Sequence, residues 1–377
     1  MRNSIPRRTA LTALASIPFA ASVLRGAAAA DDVYFGVSGP FSGNNANYGR
    51  VWRMAMDMAV DEINKSGGIA GRKLNLVYQD TQSDPKQSVA VAQQFAADPK
   101  FIAELGDFAS PASMAASPIY ERARMVQFGF TNSDPNFTKG GDYMWSTAVT
   151  MQQDAAFLAR TGRPYGKRHA IIYRDTDWGK TSRDVYAEVA AKLGAQVVAT
   201  QNYLENEKDY RSVLVKVRDA KPDVVTMFSY YTDGALLLQQ SKDVGLSAKL
   251  LEAAGSCYNA QFLKLGGDAV NGVIMPVIFF VADPRPEVQS FVSDYRLRYK
   301  EDPDQYAARA YDATKILAWA AQRGNFTRTG IRDALANGKG IPSILFGPCE
   351  FGADRRVKNV RESFITVRDG KFAYWRA

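Results

Sequence analysis

Histidine is almost missing from this chain: among 377 residues only His169 carries an imidazole. Multi-histidine metal sites and the zinc-protease H-E-x-x-H motif are therefore excluded, and any Ser-His-Asp arrangement must use that one residue. Cysteine is nearly as scarce. Cys257 and Cys349 allow at most one bridge and cannot form a four-thiolate zinc site. The sequence also lacks a G-x-x-x-x-G-K-[ST] phosphate loop, a G-x-G-x-x-G fingerprint and a G-x-S-x-G nucleophile elbow. Its composition, 46% hydrophobic and 23% charged, excludes collagen-like, disordered and disulfide-dense classes. What remains is enough to bury one or two globular cores.

The N-terminus reads as an export signal. Arg2, Arg7 and Arg8 form a basic region without an acid, an apolar stretch runs from Ala10 to Leu24, and Ala28-Ala29-Ala30 offers a cleavage site. Arg7-Arg8-Thr9-Ala10-Leu11 also resembles a twin-arginine signal with an incomplete consensus. Pro18 interrupts the stretch, which is short for a span of ~20 residues, so cleavage after Ala30 and a periplasmic destination are expected. Cleavage removes four basic residues and no acid, leaving 43 basic against 39 acidic, a net +4 over 347 residues. So small an excess points to no nucleic-acid or membrane partner. Arg355-Arg356 reads as solvated surface. Export would permit Cys257 and Cys349 to pair, a geometry that sequence separation leaves open.

Beyond residue 30, strand-like and helical runs alternate. Strands are expected at 33–38, 73–80, 101–105 and 125–130, with helices at 47–65, 85–97 and 111–122. In the first helix Trp52, Met56, Ala59 and Ile63 recur at helical spacing, and Gly67-Gly68 stops it. The pattern restarts near residue 150. Strands at 170–173, 196–199, 223–228, 249–251 and 272–277 alternate with helices at 179–193, 211–220, 233–244 and 259–265. Helices at 286–300, 305–321 and 328–336 follow, and the end reads as short strands and turns. Repeated β-α-β units predict an α/β fold with parallel sheets, and the length suits two sheets better than one of ten or more strands.

In such sheets ligands bind beyond the carboxyl ends of the strands. The loops there carry Gly106-Asp107-Phe108-Ala109-Ser110-Pro111, Thr131-Asn132-Ser133-Asp134-Pro135, Asp175-Thr176-Asp177-Trp178-Gly179, Ser229-Tyr230-Tyr231 and Gly255-Ser256-Cys257-Tyr258. Ser110 is expected as an N-cap with Pro111 in the first helical position, a place where a hydroxyl and free N–H groups can hold a carboxylate. Small hydroxyls beside aromatics fit a compact pocket with few polar anchors. Asp175 and Asp177 read as a turn and a helix N-terminus. His169, flanked by Lys167 and Arg168 before an apolar strand, reads as structural or surface. No catalytic residue and no metal or other cofactor is assigned.

The stretch Phe35-Gly36-Val37-Ser38-Gly39-Pro40-Phe41-Ser42-Gly43, then Tyr48-Gly49, resembles the start of leucine/isoleucine/valine-binding proteins, the type I periplasmic solute receptors of ABC importers. Asp61-Glu62-Ile63-Asn64, Gly67-Gly68-Ile69-Ala70-Gly71, Asp80, Ser83-Asp84-Pro85, Asp177-Trp178-Gly179-Lys180 and Tyr311-Asp312-Ala313 continue the match in order. The resemblance implies two doubly wound parallel-sheet lobes joined by a three-crossing hinge, with residues 31–150 and 278–345 in one lobe and 151–277 and 346–377 in the other. It implies a ligand carboxylate on the Ser110 hydroxyl, backbone groups of Thr131 and the Ser133 hydroxyl at the ligand head, and Tyr48, Phe108, Trp178, Tyr230, Gly255, Ser256 and Tyr306 around the cleft. A monomeric receptor that delivers a small amino acid or other carboxylate to a membrane permease is the implied activity, without enzymatic turnover. A sensory module serving a chemoreceptor or kinase is the alternative of another class.

One position departs from the family pattern. Amino-acid binders of this family carry a glutamate in the second lobe for the ligand ammonium, and aligning on Gly255 places Ala254 there. A buried ammonium without an anion is costly. Either Glu252, Asp107, Asp177 or Asp233 supplies the charge, or the ligand is an aromatic or aliphatic carboxylate, or an amide, without an α-ammonium.

Overall fold

A computed structural model of the chain describes Met1 and residues 31–205, 207–253 and 255–376. The expected export signal and Ala254 lie outside the described residues. The chain divides into Met1–Ala30 and a compact unit Asp31–Ala377, and the latter alone is described below.

The alternating pattern folds as expected for its first half. Strand β1 (Val33–Gly39) leads to helix α1 (Ala46–Lys65), β2 (Leu74–Asp80), α2 (Pro85–Ala97), β3 (Phe101–Leu105), α3 (Ser110–Arg122), β4 (Val126–Gly129) and β5 (Met144–Ser146). These five strands form one parallel sheet in the order β2-β1-β3-β4-β5. Asp84 caps α2 through the Lys86 and Gln87 N–H groups with Pro85 in the first turn, the arrangement its sequence signalled. Gly49 has a steric reason to be glycine: a Cβ there would lie 2.2 Å from the Pro40 carbonyl oxygen, so α1 can pass under the loop after β1 only without a side chain.

The chain then crosses to a second sheet. It comprises α4 (Met151–Gly162), β6 (Arg168–Arg174), α5 (Asp177–Lys192), β7 (Gln196–Tyr203), α6 (Arg211–Asp219), β8 (Val224–Phe228), α7 (Tyr231–Asp243), β9 (Lys249–Glu252), α8 (Ala260–Gly266) and β10 (Ile274–Val277). A second crossing returns it to helices α9 (Pro286–Tyr299), α10 (Gln305–Arg323) and α11 (Arg328–Asn337). Of these, α10 packs on α1, and α11 packs on β3 and β4. A third crossing delivers β11 (Ser363–Arg368) and β12 (Lys371–Tyr374), which add antiparallel to β10. The second sheet runs β12-β11-β10-β9-β8-β6-β7, and its parallel part repeats the strand order of the first. Two lobes and three crossings result.

Two elements were not expected. Helix α4 is opened by a capping box in which the Thr150 hydroxyl accepts from Gln153 N–H and the Gln153 side chain accepts from Thr150 N–H. Strand β5 has three residues, too few to show an alternation. Cys257 and Cys349 are separate, buried free thiols, so no bridge joins them. His169 is wholly buried on β6, its Nδ1 2.7 Å from the Tyr186 hydroxyl and Nε2 3.3 Å from the Gly166 carbonyl, and burial lowers its pKa. It is structural. Arg356 corrects the expectation of a solvated pair. Its guanidinium is buried and donates to the carbonyls of Asn132, Ala148 and Asp134 at 3.2, 3.0 and 2.6 Å, and to Ser146 Oγ. Arg355 reaches the Thr138 carbonyl at 3.2 Å through Nε.

Candidate functional site

Each sheet reverses its strand order once, β1 against β3 and β6 against β8, and the loops leaving those strands diverge to leave a crevice. The two crevices face each other. Between them lies a small cavity of about 40 Å³, lined by Phe108, Ala109, Ser110, Thr131, Ser133, Val149, Asp154, Trp178, Tyr230, Ser256, Tyr306 and Arg309. It joins loops after β3, β4, β6, β8 and β9 with the face of α10.

The first sheet supplies the small hydroxyls. Ser110 occupies the first helical residue of α3, not the N-cap, which is Ala109 without a side-chain cap bond. Its hydroxyl therefore does not close the helix end; it accepts weakly from Asp134 N–H at 3.3 Å. Thr131 donates its hydroxyl to the Phe108 carbonyl at 2.9 Å, locking the loops after β3 and β4 together. Ser133 accepts from Trp178 Nε1 at 3.1 Å, a bond from one lobe to the other.

Aromatic rings supply the walls. Trp178 stacks on Tyr230 with centroids 5.4 Å apart, and the Arg174 guanidinium lies 4.7 Å over the other ring's centroid. Arg174 is itself held by Asp233 at 3.0 Å and by Glu205. Tyr48 is not in the lining. It lies wholly buried beneath it, stacked on Phe108 at 4.3 Å and donating its hydroxyl across the lobes to the Ser256 carbonyl at 2.9 Å. Ser256 lines the cavity, but its hydroxyl is spent on the Ser229 and Ala253 carbonyls at 2.7 and 2.9 Å. Gly255 is outside the lining. Its φ is +59°, and a Cβ would meet Gln305 Nε2 at 2.3 Å, so it shapes the loop instead. The remaining expected residues, Phe108, Ser110, Thr131, Ser133, Trp178, Tyr230 and Tyr306, converge on the one cavity.

A family model described as periplasmic binding protein matches residues 32–371. The chain belongs to that family. It is 30% identical over 378 aligned residues to a Leu/Ile/Val-binding protein homolog 1 of Brucella abortus, covering 93% of this chain and 99% of that one. Among solved structures it is similar to an ABC transporter substrate-binding protein of Desulfitobacterium hafniense in complex with Leu, at 26% identity and a TM-score of 0.77, covering 91% and 100% of the two chains. It is also similar to a solute-binding protein of R. palustris in complex with benzoate, at 17% identity and a TM-score of 0.83, covering 91% and 95%. That last likeness concerns the fold alone.

For this periplasmic binding protein, sequence reading missed the charged residues of the cavity. None of the four acids considered for an ammonium lines it. Glu252 is buried, accepts from Ser229 Oγ at 2.9 and 2.8 Å, and is pushed up to about 8 by burial. Asp107 faces Thr81, Ser83 and Ser88, Asp233 faces Arg174, and Asp177 lies in an adjoining cavity nearer solvent. The carboxylate in the lining is Asp154 on α4, accompanied by Arg309 on α10, and both are more than nine-tenths buried. Arg309 follows Tyr306 by three residues and so shares its helix face, a signal available in the sequence. Asp154 followed from the Thr150-x-x-Gln153 capping box, had that been read as a helix start. No group of three or more metal-ligating side chains occurs among the described residues, and no described helix is long and apolar enough to cross a membrane.

Proposed function

We propose that this chain is the extracytoplasmic solute receptor of an ABC importer, capturing a small carboxylate-bearing solute, with a branched-chain or other hydrophobic amino acid as the first candidate. The observation that carries the reading is the cavity between the two strand-order reversals, walled by Trp178, Tyr230 and Tyr306 and floored by Ser110, Thr131 and Ser133. An apolar solute body would rest on the rings while its carboxylate meets the Ser110 and Ser133 hydroxyls, backbone groups of Thr131 and the start of α3. The bonds Tyr48–Ser256 and Trp178–Ser133 span the lobes, so they would form as the cleft closes and break as it opens. Water excluded by closure would strengthen the polar contacts to the solute. A membrane permease would read the closed form. On this reading the lobes divide near residues 150, 278 and 358. The last point is chosen because Cys349 and Arg356 still bridge to Ile341 and Ser146 of the first lobe.

A second reading, a carboxylate without an α-ammonium, is favoured by one observation: the acid in the lining, Asp154, is already engaged with Glu362. A thermal-shift screen on unfolded and refolded protein separates the two. Leucine, isoleucine, valine and phenylalanine should be set beside their deaminated acids, benzoates and simple amides. A solute at about 100 times its Kd stabilises the fold by ~2.7 kcal/mol. Stabilisation by amino acids alone supports the first reading, by deaminated acids alone the second, and by none of the panel neither. Ser110→Ala should weaken any carboxylate found by ~1.5–3 kcal/mol, through loss of a charge-assisted bond. Unchanged affinity on titration would remove Ser110 from the site.

A further inference from the structure

We propose that Arg309, backed by the Asp154–Glu362 carboxyl pair, is the charge-recognising wall of the cavity, taking an anionic group of the solute while the pair takes up one proton. The inference rests on the cavity being the solute site, and it adds the charge of the group bound and the proton that accompanies it.

The three residues come from three parts of the fold. Arg309 stands on α10, Asp154 on α4, and Glu362 in the third crossing just before β11. The cluster therefore sits where the crossings meet the cavity. Arg309 is 7% exposed, and its Nη1 donates to the Phe130 carbonyl at 3.2 Å, while its Nε has no partner. Asp154 and Glu362 act on it through space, and neither its Nε nor Asp154 Oδ1 has a hydrogen-bond partner. A guanidinium has five N–H donors, and one buried with donors unmet favours an acceptor that carries negative charge. The cavity is where such a group would come from.

The carboxyl pair balances that cation within the protein. Asp154 Oδ1 and Glu362 Oε2 are buried without a hydrogen-bond partner, and the two carboxyl groups adjoin each other. Two adjoining buried carboxyls without donors are favoured to share one proton, because both cannot readily ionise side by side. Burial raises both, the Asp154 charge raises Glu362 further, and the Arg309 charge lowers both. The pair thus shares one proton and one negative charge. Asp154 is faced by Glu362 and Arg309, Glu362 by Asp154 and Arg309, and Arg309 by these two and Tyr306. One cation and one shared negative charge make the cluster neutral by itself.

An anionic solute group on Arg309 would add a second negative charge to a buried site. Uptake of a proton from solvent restores neutrality: one O–H bond forms on the carboxyl pair, and no bond of the solute changes. Affinity for anionic solutes should then rise as pH falls, by up to about tenfold per pH unit when a full proton is taken up. Neutral amides should show no such dependence.

Calorimetric titration of the full chain tests this with leucine, isocaproate, benzoate and isocaproamide, in two buffers of different ionisation enthalpy, between pH of about 6 and about 8. Expected are proton uptake with the carboxylates alone, affinity for them falling as pH rises, and at least about tenfold loss of carboxylate affinity in Arg309→Gln, with part retained in Arg309→Lys. Asp154→Asn should remove the proton uptake. Carboxylates that bind without proton uptake, or that bind Arg309→Gln undiminished, would overturn the inference and leave the receptor reading standing. Should Arg309→Gln fail to fold, proton uptake by the unaltered protein decides alone. If no carboxylate of the panel binds, the receptor reading falls and this inference with it.

Discussion

Replacing Arg356 by methionine should lower the stability of the chain by ~3–5 kcal/mol, the cost of breaking a buried, hydrogen-bonded charge. The side chain lies just before the third crossing, far along the chain from its partners, yet its guanidinium donates to carbonyls of Asn132, Asp134 and Ala148 and to Ser146 Oγ. Methionine keeps much of the length and apolar stem but offers no donor. Those carbonyls would then be buried without partners, and a cation-assisted bond is worth about 1.5–3 kcal/mol before such penalties. Burial depresses the Arg356 pKa to about 10, which still leaves it charged near neutral pH. The same bonds fix the backbone that carries Thr131 and Ser133, so solute affinity should fall together with stability. Urea denaturation followed by far-ultraviolet circular dichroism would measure the first effect. A midpoint within error of the unaltered protein would show that the strap is not stabilising.

Stability should also decline as pH rises from about 6.5 to 9, and Glu104→Gln should remove part of that decline. Glu104 is wholly buried beneath the first sheet's cleft end. Its Oε1 accepts from Ser38 Oγ at 2.5 Å, and its Oε2 has no partner. Burial pushes it up to about 8, and Glu252 equally, while Asp304 and Asp312 are pushed up to about 7. A carboxyl raised in the folded state is bound to its proton there while the unfolded chain has released it. Its stabilisation is complete below the unfolded value near ~4 and is lost as pH rises through the folded value. Buried His169, lowered by burial, acts in the opposite sense but only below its unfolded value of ~6.5. Glutamine cannot ionise, so the variant should overtake the unaltered protein at the alkaline end. Melting temperatures of both proteins across this range are the check. A flat or rising curve for the unaltered protein would contradict the burial argument.

These two residues mark where sequence reading stopped. Beside Arg355, Arg356 looks like any surface pair, because nothing within a few residues reveals that the loop after β4 and the first crossing will enclose it. Glu104 sits in an apolar strand run, where alternation assigns it a face but not what covers that face. The opposite holds for α1, α2 and α10. Their boundaries rest on apolar spacing and on caps such as Asp84, contacts made within one or two turns and therefore written locally.

The site divides along the same line. Ser110, Thr131, Ser133, Trp178 and Tyr230 were legible because each follows a strand, and strand ends in parallel sheets face the ligand crevice whatever the rest of the chain does. Ser110 was misplaced by one position, since capping preference favours serine over alanine, whereas here Ala109 is the last non-helical residue and no side chain caps the helix. By itself the sequence determined two α/β lobes and the polar and aromatic loops at their facing edges. Only the tertiary structure decided that Tyr48 lies under the cavity and Ser256 is spent on backbone. It alone brought Asp154, Arg309 and Glu362, from three distant segments, into one buried cluster. The reason is physical: turns and periodicity are set by interactions within a few residues, whereas the protonation and pairing of a charge depend on what buries it, and here distant segments do.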